Sequence, residues 1–398
     1  MTEVIYDAVV VGGGPAGAAA ATDLALAGHK VLLMERGGRI KPCGGAVPPR
    51  LLQDFDIPQS LLVARARSAR MIAPSGRAVD MPVGEIGYVG MVDREEFDEW
   101  LRERAQKSGA ERLSATFEKI ERDDEAHPLV TFRRERGGPL ETVRARVVIG
   151  ADGARSAVAK QCLPGAERVP CVFAYHEIIE SPEEDSDAFD AARCDVFYQG
   201  RLSPDFYAWV FPHGETASIG VGSANKGFSL RGAVSTMRDD LGLARCKTVR
   251  REGAPIPLKP LKRWDNGADV IVAGDAAGIV APASGEGIYY AMTGGRYVAE
   301  AASEFLATGE AKALKTARKR FMKEHGRVFW ILGMMQYFWY SSDKRRERFV
   351  TMCDDKDVQQ LTWQAYMNKR LVRAKPMAHV KIFLKDCAHL LGLREATH

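Results

Sequence analysis

A glycine-rich segment near the N-terminus has the residue types and spacing of a phosphate-binding turn. Gly12, Gly14 and Gly17 follow the apolar run of residues 5–11 and lead into an alanine-rich stretch. The first glycine permits a tight turn, the second lets the backbone approach a pyrophosphate, and the third lets a helix pack against a strand. Free N–H groups and the dipole at the start of that helix favour negative charge. The predicted pyrophosphate contacts are Gly12, Gly14, Pro15, Ala16 and Gly17.

An acidic residue closes the second apolar run of this βαβ unit. Residues 31–34 end at Glu35, about twenty positions after the glycines. A carboxylate at this position would accept hydrogen bonds from a ribose diol and would repel the 2′-phosphate of NADP. The segment therefore predicts a site for FAD or NAD, with Glu35 at the ribose and Arg36 as a further cofactor contact.

Two later segments repeat the pattern of a buried strand that ends at an aspartate. Residues 147–150 lead to Asp152, and residues 270–272 lead to Gly274 and Asp275. Parallel strands deliver such residues to one edge of a sheet, where open α/β folds bind ligands. Because a flavoprotein of this kind builds its site from three distant pieces of chain, the three segments together predict FAD. Asp275 would accept a hydrogen bond from a ribityl hydroxyl.

A further helix is predicted from about residue 285 onward. Its N-terminus would stabilise negative charge at the pyrimidine edge of the flavin. The predicted cofactor contacts at this helix start are Gly285, Gly287 and Ile288.

These segments, together with Arg94 in the run of residues 93–97, resemble the FAD-dependent hydroxylase fold that also contains the geranylgeranyl reductases. The resemblance extends over roughly residues 1–308. It implies an α/β protein with an FAD-binding Rossmann-type, para-hydroxybenzoate-hydroxylase-like domain, an inserted, mostly antiparallel β substrate domain and a C-terminal helical region. It also implies that Arg94, which opens a predicted helix, lies near the FAD pyrophosphate.

Two further stretches resemble the reductase branch of this fold. Residues 41–45 are similar to the K-P-C-G-G motif of geranylgeranyl reductases, and residues 204–212 fit their P-x-x-Y-x-W-x-F-P signature. Tyr207, Trp209 and Phe211 alternate along a predicted strand, so their rings share one face. Such a face suits an apolar polyprenyl chain, although an alternating aromatic strand is also typical of a protein core. The motif loop adds Cys43, Gly44, Gly45 and Ala46 to the predicted FAD contacts.

The chemistry that this resemblance implies needs a proton donor. An isolated alkene accepts a hydride poorly because no carbonyl stabilises the resulting carbanion, so a general acid must act on the far side of the alkene from the flavin. The candidates are Cys43, Tyr207 and Glu286. Cys43 comes first because its loop can reach the flavin, but a thiol of ordinary pKa is a weak acid and a positioning role stays open. The resemblance further implies NADPH as a transient reductant.

Family resemblance also narrows the substrate. The reductases act on chlorophyll-type pigments or on archaeal membrane ethers, and this chain is most similar to the bacteriochlorophyll branch of purple bacteria. That branch saturates three of the four double bonds of a geranylgeranyl tail to give phytyl, and free geranylgeranyl diphosphate is an alternative substrate. An FAD-dependent aromatic monooxygenase, an archaeal-type lipid reductase and a non-enzymatic isoprenoid carrier remain open, although the acidic residues Glu35, Asp152 and Asp275 disfavour a carrier.

The order of the motifs predicts a discontinuous arrangement of three regions. These are an FAD-binding domain at residues 1–66, 92–165 and 265–308, a substrate-binding β domain at residues 67–91 and 166–264, and a basic helical region at residues 309–398.

Charge is concentrated at the C-terminal end. Residues 311–398 contain 19 Lys and Arg against 8 Asp and Glu, although the whole chain carries a net charge of only +4. Within this end, the apolar and aromatic residues 328–340 are followed by the cations of residues 344–346. Thirteen residues are too few to span a bilayer, which needs about twenty. The segment predicts either an interfacial membrane helix or a packed helix of the C-terminal region, and nucleic-acid binding is disfavoured because no recognition motif accompanies the cations.

Cysteine usage indicates a reducing compartment. The seven cysteines form an odd set without paired spacing, and neither a metal-ligand pattern nor a signal peptide is evident. We therefore expect a cytoplasmic protein at the surface of a photosynthetic membrane, without a bound metal.

Overall fold

The computed structural model of the chain describes residues 5–38 and 40–369. The last part of the predicted basic region, residues 370–398, lies outside these described residues.

Strands and helices alternate along the first part of the chain, and helices follow one another at its end. The strands are β1 (Ile5–Val11), β2 (Val31–Glu35), β3 (Ala46–Val47), β4 (Leu62–Ala66), β5 (Ser68–Ile72), β6 (Ala78–Pro82), β7 (Val89–Val92), β8 (Glu111–Ser114), β9 (Thr116–Arg122), β10 (Pro128–Arg133), β11 (Glu141–Gly150), β12 (Cys171–Glu180), β13 (Arg193–Phe197), β14 (Ala208–His213), β15 (Thr216–Ser223), β16 (Thr248–Pro257) and β17 (Val270–Val272). The helices are α1 (Pro15–Leu26), α2 (Pro49–Asp54), α3 (Arg94–Lys107), α4 (Ala157–Cys162), α5 (Leu230–Asp240), α6 (Ile288–Thr308), α7 (Lys315–Trp339), α8 (Asp343–Met352) and α9 (Lys356–Asn368).

These elements form two compact units. Over the described residues, the first comprises residues 5–38, 40–47, 92–174 and 253–334, and the second comprises residues 48–91, 175–252 and 335–369.

A seven-stranded sheet forms the centre of the first unit, with six strands in the order β8-β2-β1-β11-β10-β9 and the seventh, β17, paired with β11. The long strand β11 pairs with antiparallel β10 through its first half and with parallel β17 through its last three residues. Strands β8, β2, β1, β11 and β17 are therefore parallel to one another, and their carboxyl ends meet at one edge. The Val and Leu side chains of β1 and β2 and all three residues of β17 are at most 3% exposed, as expected where helices cover a parallel sheet.

Helix α1 packs against α6 and α3 in this unit. Its nine buried residues are mostly alanine, and Gly295 of α6 lies so close that a Cβ there would be 2.2 Å from the carbonyl oxygen of Ala16. Small residues on both helices therefore allow the backbones to approach closely.

A second seven-stranded sheet, in the order β16-β12-β15-β14-β13-β5-β6, forms the second unit. Strand β13 is parallel to β5, whereas β13–β14, β14–β15 and β5–β6 are antiparallel pairs. One face of this sheet packs against α5 through a core that includes Ala208, Val210, Ile219 and Val234. The predicted α/β class with a mostly antiparallel second sheet and C-terminal helices is confirmed.

The boundaries of the units differ from the predicted domain limits between residues 48 and 66. This segment, which we predicted to lie in the FAD-binding domain, lies in the second unit. The physical reason is packing, because α2 contacts α9 and β4 contacts β14, both elements of the second unit.

Candidate functional site

The carboxyl ends of the parallel strands in the first unit bring three distant parts of the sequence together. The N–H of Ala151 donates to the carbonyl oxygen of Val11 at 2.7 Å, and the N–H of Ala273 donates to that of Gly150 at 2.9 Å. The loops that follow β1, β11 and β17 therefore start side by side. Each of these loops contains residues that we predicted to bind FAD.

The turn after β1 requires glycine at two positions. Gly12 has a φ of +106°, and a Cβ there would lie 2.3 Å from the carbonyl oxygen of Ala151. A Cβ at Gly17 would lie 1.8 Å from the carbonyl oxygen of Gly12. Both residues are thus needed for the turn and for the close packing of α1 on β1.

Gly14 has a different environment. It is the N-terminal cap of α1 with extended backbone angles, and no heavy atom lies within 4 Å of where its Cβ would be. Pro15 and Ala16 form the buried first turn, which has neither an acidic residue nor a side-chain cap. The start of α1 thus presents main-chain N–H groups beside open space, which is the arrangement that binds phosphate.

Glu35 lies at the end of β2 beside this turn. Its Oε2 accepts a hydrogen bond from the N–H of Gly13 at 2.5 Å, and a Cβ at Gly13 would lie 2.9 Å from the Glu35 Cβ. The carboxylate is therefore held against the glycine loop, at the position expected for a ribose contact. Arg36, the next residue, is exposed.

Asp152 lies in the loop after β11, where it caps α4. Its Oδ1 accepts from the Ser156 hydroxyl at 2.5 Å, and its Oδ2 accepts from the N–H groups of Ala157 at 2.6 Å and Val158 at 3.2 Å. Burial raises the pKa of Asp152, against the opposing effect of these hydrogen bonds. Both carboxylate oxygens thus stabilise the start of α4, which was not evident from the sequence.

Asp275 lies in the short 3₁₀ turn after β17 and pairs with Lys41. The Lys41 ammonium donates to Asp275 Oδ2, and the side chains are 29% and 17% exposed. Lys41 belongs to the predicted K-P-C-G-G loop, but we did not select it as a site residue. Because 234 positions separate the two residues, no local pattern could have revealed the pair.

The N-terminus of α6 lies next to Asp275. A Cβ at Gly287, the helix cap, would be 3.8 Å from Asp275 Oδ1, and no side chain caps this helix. Gly285 has a φ of +65°, and Ile288 is the buried first residue of α6. Glu286 is 9% exposed; burial and this carboxylate raise the pKa of Tyr290 well above its ordinary value.

Cys43 lies beside a buried ion pair. Arg94, 6% exposed, donates from Nε and Nη2 to the two carboxylate oxygens of Asp98 at 2.8 and 2.6 Å. Burial alone would lower the pKa of Arg94, but Asp98 and Cys43 together raise it. Arg94 therefore remains charged beside the motif loop.

The rest of the motif loop continues beside this pair. The Cys43 sulfur accepts from the N–H of Gly45 at 3.4 Å, and the carbonyl oxygen of Gly45 accepts from the N–H of Val92 at 2.9 Å. Gly44 precedes this turn and is half-buried, and Ala46 begins β3.

The residues of the first unit fit an adenine dinucleotide flavin. Open space at Gly14, uncapped N-termini on α1 and α6, and the Glu35 carboxylate beside the glycine loop provide donors for a pyrophosphate and an acceptor for a ribose. Lys41 and Asp275 add a charged pair beside the second of these helix termini.

The aromatic residues of the signature lie on one face of the second sheet. Ring centroids are 5.9 Å apart for Tyr207 and Trp209 and 6.2 Å apart for Trp209 and Phe211. The intervening Ala208 and Val210 point to the core with α5. Tyr207 and Trp209 are 9% and 5% exposed, whereas Phe211 is half-buried. Strand β14 begins at Ala208, one residue later than predicted.

One cation of the predicted basic segment, Arg346, is buried, which corrects the interpretation of this residue as part of a membrane-facing surface. Its side chain is 2% exposed, donates to the carbonyl oxygen of Pro204 at 2.5 Å and to that of Tyr340, and pairs with Asp343 at 2.8 Å. This cation therefore anchors α8 to the start of the signature and does not face a membrane. Lys344, in contrast, is exposed.

The chain matches the family described as Lycopene cyclase protein over residues 7–196 and 226–385. A geranylgeranyl diphosphate reductase of Rhodobacter capsulatus is 58% identical over 388 residues, which cover 98% of each chain. The chloroplastic geranylgeranyl diphosphate reductase of Oryza sativa subsp. japonica is 35% identical and aligns with 96% of this chain and 85% of its own. A digeranylgeranylglycerophospholipid reductase of Methanocaldococcus jannaschii is 30% identical over 81% of this chain and 83% of its own.

Solved structures share the fold at lower identity. A geranylgeranyl bacteriochlorophyll reductase-like protein from Thermoplasma acidophilum superposes with a TM-score of 0.79 at 22% identity and covers 94% of this chain and 99% of its own. The p-nitrophenol 4-monooxygenase of Pseudomonas putida superposes with a TM-score of 0.70 at 18% identity, covering 92% and 98%. The fold is thus shared by proteins described as reductases and as monooxygenases.

Proposed function

Because this chain belongs to the geranylgeranyl diphosphate reductase family, we propose that it is an FAD-dependent reductase that saturates three double bonds of a geranylgeranyl group with electrons from NADPH. The preferred substrate is geranylgeranyl-bacteriochlorophyll, which would become the phytyl form, and geranylgeranyl diphosphate is the alternative. The observation that carries this proposal is the 58% identity to the Rhodobacter capsulatus reductase, because it extends over both units of the chain.

Binding of FAD is proposed for the residues at the edge of the first sheet. The start of α1 at Gly14 would hold the pyrophosphate, and Glu35 would accept from the adenosine ribose. Asp275 would accept from the ribityl chain, and the uncapped start of α6 would face the pyrimidine edge. Arg94, paired with Asp98 beside Cys43, would hold the motif loop in place.

Each reduction adds one hydride and one proton across a C=C bond. Bound FAD in its reduced form supplies the hydride. The proton must come from an acidic group of the protein, and we propose Cys43 first, with Glu286 and Tyr207 as alternatives. The N–H of Gly45 donates to the Cys43 sulfur at 3.4 Å and so holds this side chain in the turn of the motif loop.

Product mass under anaerobic conditions tests the reductase proposal. FAD-loaded protein is incubated with NADPH and either geranylgeranyl-bacteriochlorophyll or geranylgeranyl diphosphate. We expect product masses that rise stepwise by two, four and six mass units, and the faster of the two reactions identifies the substrate. Unchanged product masses would contradict the reductase proposal. If the protein then consumed oxygen when air and an aromatic substrate were added, the monooxygenase alternative would be established.

The proton donor is tested by three substitutions that preserve the shape of the side chain: Cys43→Ser, Glu286→Gln and Tyr207→Phe. The donor variant should reduce the alkene at least about a hundredfold more slowly, while NADPH still bleaches the flavin at the wild-type rate. A variant that slows both reactions has lost cofactor binding or folding and is excluded as evidence for the donor.

Peripheral membrane contact is proposed for one face of α7. Trp330, Met334 and Tyr337, at positions i, i+4 and i+7, are 65%, 54% and 85% exposed. Three large apolar side chains on one helix face are unusual at a protein surface and are typical of interfacial helices. No described helix is both long and apolar enough to span a bilayer.

Cations extend the same helix face toward its start. Lys319, Lys323 and Arg327 are exposed at the preceding positions of this face. A surface that joins exposed cations to exposed aromatic residues matches anionic headgroups and the acyl boundary beneath them. We therefore propose that the protein works at the cytoplasmic surface of the photosynthetic membrane, where a pigment with an isoprenoid tail would reside.

A further inference from the structure

A chain of hydrogen-bonded side chains crosses four neighbouring strands of the second sheet. Glu252 on β16, His176 on β12, Ser218 on β15 and Trp209 on β14 follow one another in the order of the strands. His176 Nε2 lies 3.0 Å from Glu252 Oε2, and His176 Nδ1 lies 2.9 Å from Ser218 Oγ. The indole Nε1 of Trp209 donates to the same Ser218 oxygen at 3.1 Å.

The two ends of this chain have a defined acceptor and a defined donor. Glu252 pairs with Arg250 at 2.6 Å. Burial raises the pKa of Glu252, but interactions with His176 and Arg250 outweigh this effect and lower the pKa below its ordinary value. The ionised carboxylate acts only as an acceptor. His176 Nε2 then donates to Glu252, and Nδ1 shares a hydrogen bond with the Ser218 hydroxyl. The Ser218 oxygen in turn accepts from the Trp209 indole.

Burial makes the loss of any of these hydrogen bonds costly. His176 is 2% exposed and Ser218 is fully buried. A buried donor or acceptor without a partner costs free energy, so the set is stable only when complete. None of these polar side chains takes part in the flavin site or in the proposed proton transfer.

The indole of Trp209 is held from a second direction. Trp209 is directly opposite Gly220 on β15, and a Cβ at Gly220 would lie 2.1 Å from the Cζ2 of the ring. The ring therefore lies flat across the neighbouring strand, where only glycine leaves room. Rotation of the ring away from Gly220 would also break its hydrogen bond to Ser218.

We propose that Glu252, His176 and Ser218 form a positioning relay that fixes the orientation of the Trp209 indole on the aromatic face of β14, and that this face contacts the isoprenoid chain. This inference rests on the proposed function for its substrate, but not for its geometry. The three residues act through Trp209 and are positioning residues, because none of them is argued to touch the substrate.

The relay predicts a selective effect on substrate binding. Ser218→Ala and Glu252→Gln should raise the KM for the geranylgeranyl substrate about fivefold to tenfold, since each removes or weakens one hydrogen bond, and should change kcat less than about twofold. In a Trp209→Phe background the same substitutions should have no further effect on KM, because the group that they position is absent.

A control on the same strand separates positioning from stability. Glu177 is the neighbour of His176 on β12, is also buried, and pairs with Arg238. Glu177→Gln removes a comparable buried carboxylate and should lower the stability of the protein without raising the KM.

Near-ultraviolet circular dichroism provides a readout that does not depend on activity. The difference between wild type and Trp209→Phe isolates the signal of Trp209, and Ser218→Ala should abolish that signal. An unchanged signal, or equal effects on KM with and without Trp209, would overturn the relay. Loss of the Trp209 signal in Ser218→Ala with an unchanged KM would overturn the substrate contact of Trp209. A wild-type protein that shows the Trp209 signal but has no reductase activity would instead overturn the proposed function.

Discussion

The Lys41 ammonium is paired with the Asp275 carboxylate, although 234 positions separate the two residues. The pair joins the K-P-C-G-G loop to the turn after β17, next to the start of α6. Asp275 is the residue for which we propose a contact with the ribityl chain of FAD, so Lys41 would set the position of that carboxylate.

Substitutions in this pair should weaken FAD binding in a coupled way. Asp275→Asn should raise the Kd for FAD about tenfold, because it replaces a hydrogen bond to a charged carboxylate by a weaker one to a neutral amide oxygen. Lys41→Met should have a smaller effect alone and none in the Asp275→Asn background, because it acts through Asp275. Flavin fluorescence titration of the apoprotein measures both. Lys312→Met, which removes an exposed cation of the same unit, serves as the control and should leave the Kd unchanged.

Two glycines of the first turn should respond differently to alanine. Gly14→Ala should leave the unfolding temperature near that of wild type because the added methyl group meets no protein atom, but it should weaken FAD binding about tenfold or more if the pyrophosphate lies there. Gly17→Ala should destabilise the protein by about 3 kcal/mol, because its methyl group would collide with the Gly12 carbonyl oxygen. Thermal unfolding and FAD titration of the two variants measure the effect of each methyl group on stability and on FAD binding. Equal FAD affinity for Gly14→Ala and wild type would place the pyrophosphate elsewhere.

Loss of Arg94 should destabilise the first unit strongly. Arg94→Met would leave the Asp98 carboxylate buried without its partner, which costs about 3–5 kcal/mol, and Arg94→Met combined with Asp98→Leu should recover much of that loss. Denaturant unfolding measures both. Lys107 and Glu103 form an exposed pair with the same i,i+4 spacing on α3, so Lys107→Met is a matched control with an expected cost below about 1 kcal/mol. Similar costs for the two single variants would contradict the assignment of Arg94 as a buried anchor.

Acid should weaken the second unit through Glu177. Burial raises the pKa of this residue, but hydrogen bonds from Tyr175, Arg238 and Arg251 lower it below its ordinary value of 4.5. A folded-state pKa below the unfolded one stabilises the protein above the unfolded pKa, and this stability is lost as the pH falls through the folded value. Glu177→Gln should therefore reduce the free energy of unfolding at pH 7 and flatten its decline below pH 4.5. Exposed Glu184→Gln should leave the profile unchanged.

The face of α7 should bind anionic vesicles. We expect sedimentation with vesicles of phosphatidylglycerol and phosphatidylcholine, and about tenfold weaker partitioning for Trp330→Ser combined with Met334→Ser. Lys319→Gln combined with Lys323→Gln should weaken binding only to the anionic vesicles, by about fivefold per cation. Leu26→Ser removes a residue that is 70% exposed on a different helix and should bind as wild type does. Equal partitioning of all four proteins would remove α7 from the proposed contact.

Local patterns predicted the first unit well because its signals are continuous in sequence. The apolar run before Gly12 is β1, the alanine-rich stretch is α1, and the run that ends at Glu35 is β2. The period of two in the signature strand placed Tyr207, Trp209 and Phe211 on one face, and the ring contacts confirm that arrangement. The resemblance to geranylgeranyl reductases is confirmed by relatives that align over nearly the whole chain.

Functions of individual polar residues were harder to predict. Asp152 follows a strand just as Asp275 does, yet its carboxylate caps α4 while that of Asp275 pairs with Lys41. Arg346 stands in a run of cations that pattern alone assigns to a surface, but its guanidinium is buried against main-chain oxygens. In each case the hydrogen-bond partners of the side chain either lie on another element or are brought to it by the local turn of the backbone.

The sequence by itself determined the family, the βαβ unit, the alternation of the aromatic strand and the excess of cations at the C-terminal end, because all of these depend on residue type and spacing. The tertiary structure alone decided that Lys41 meets Asp275, that Arg94 and Asp98 form a buried pair, and that His176, Ser218 and Trp209 form one chain of hydrogen bonds. Side-chain partners between distant strands depend on register and packing, and these arise only when the whole sheet has formed.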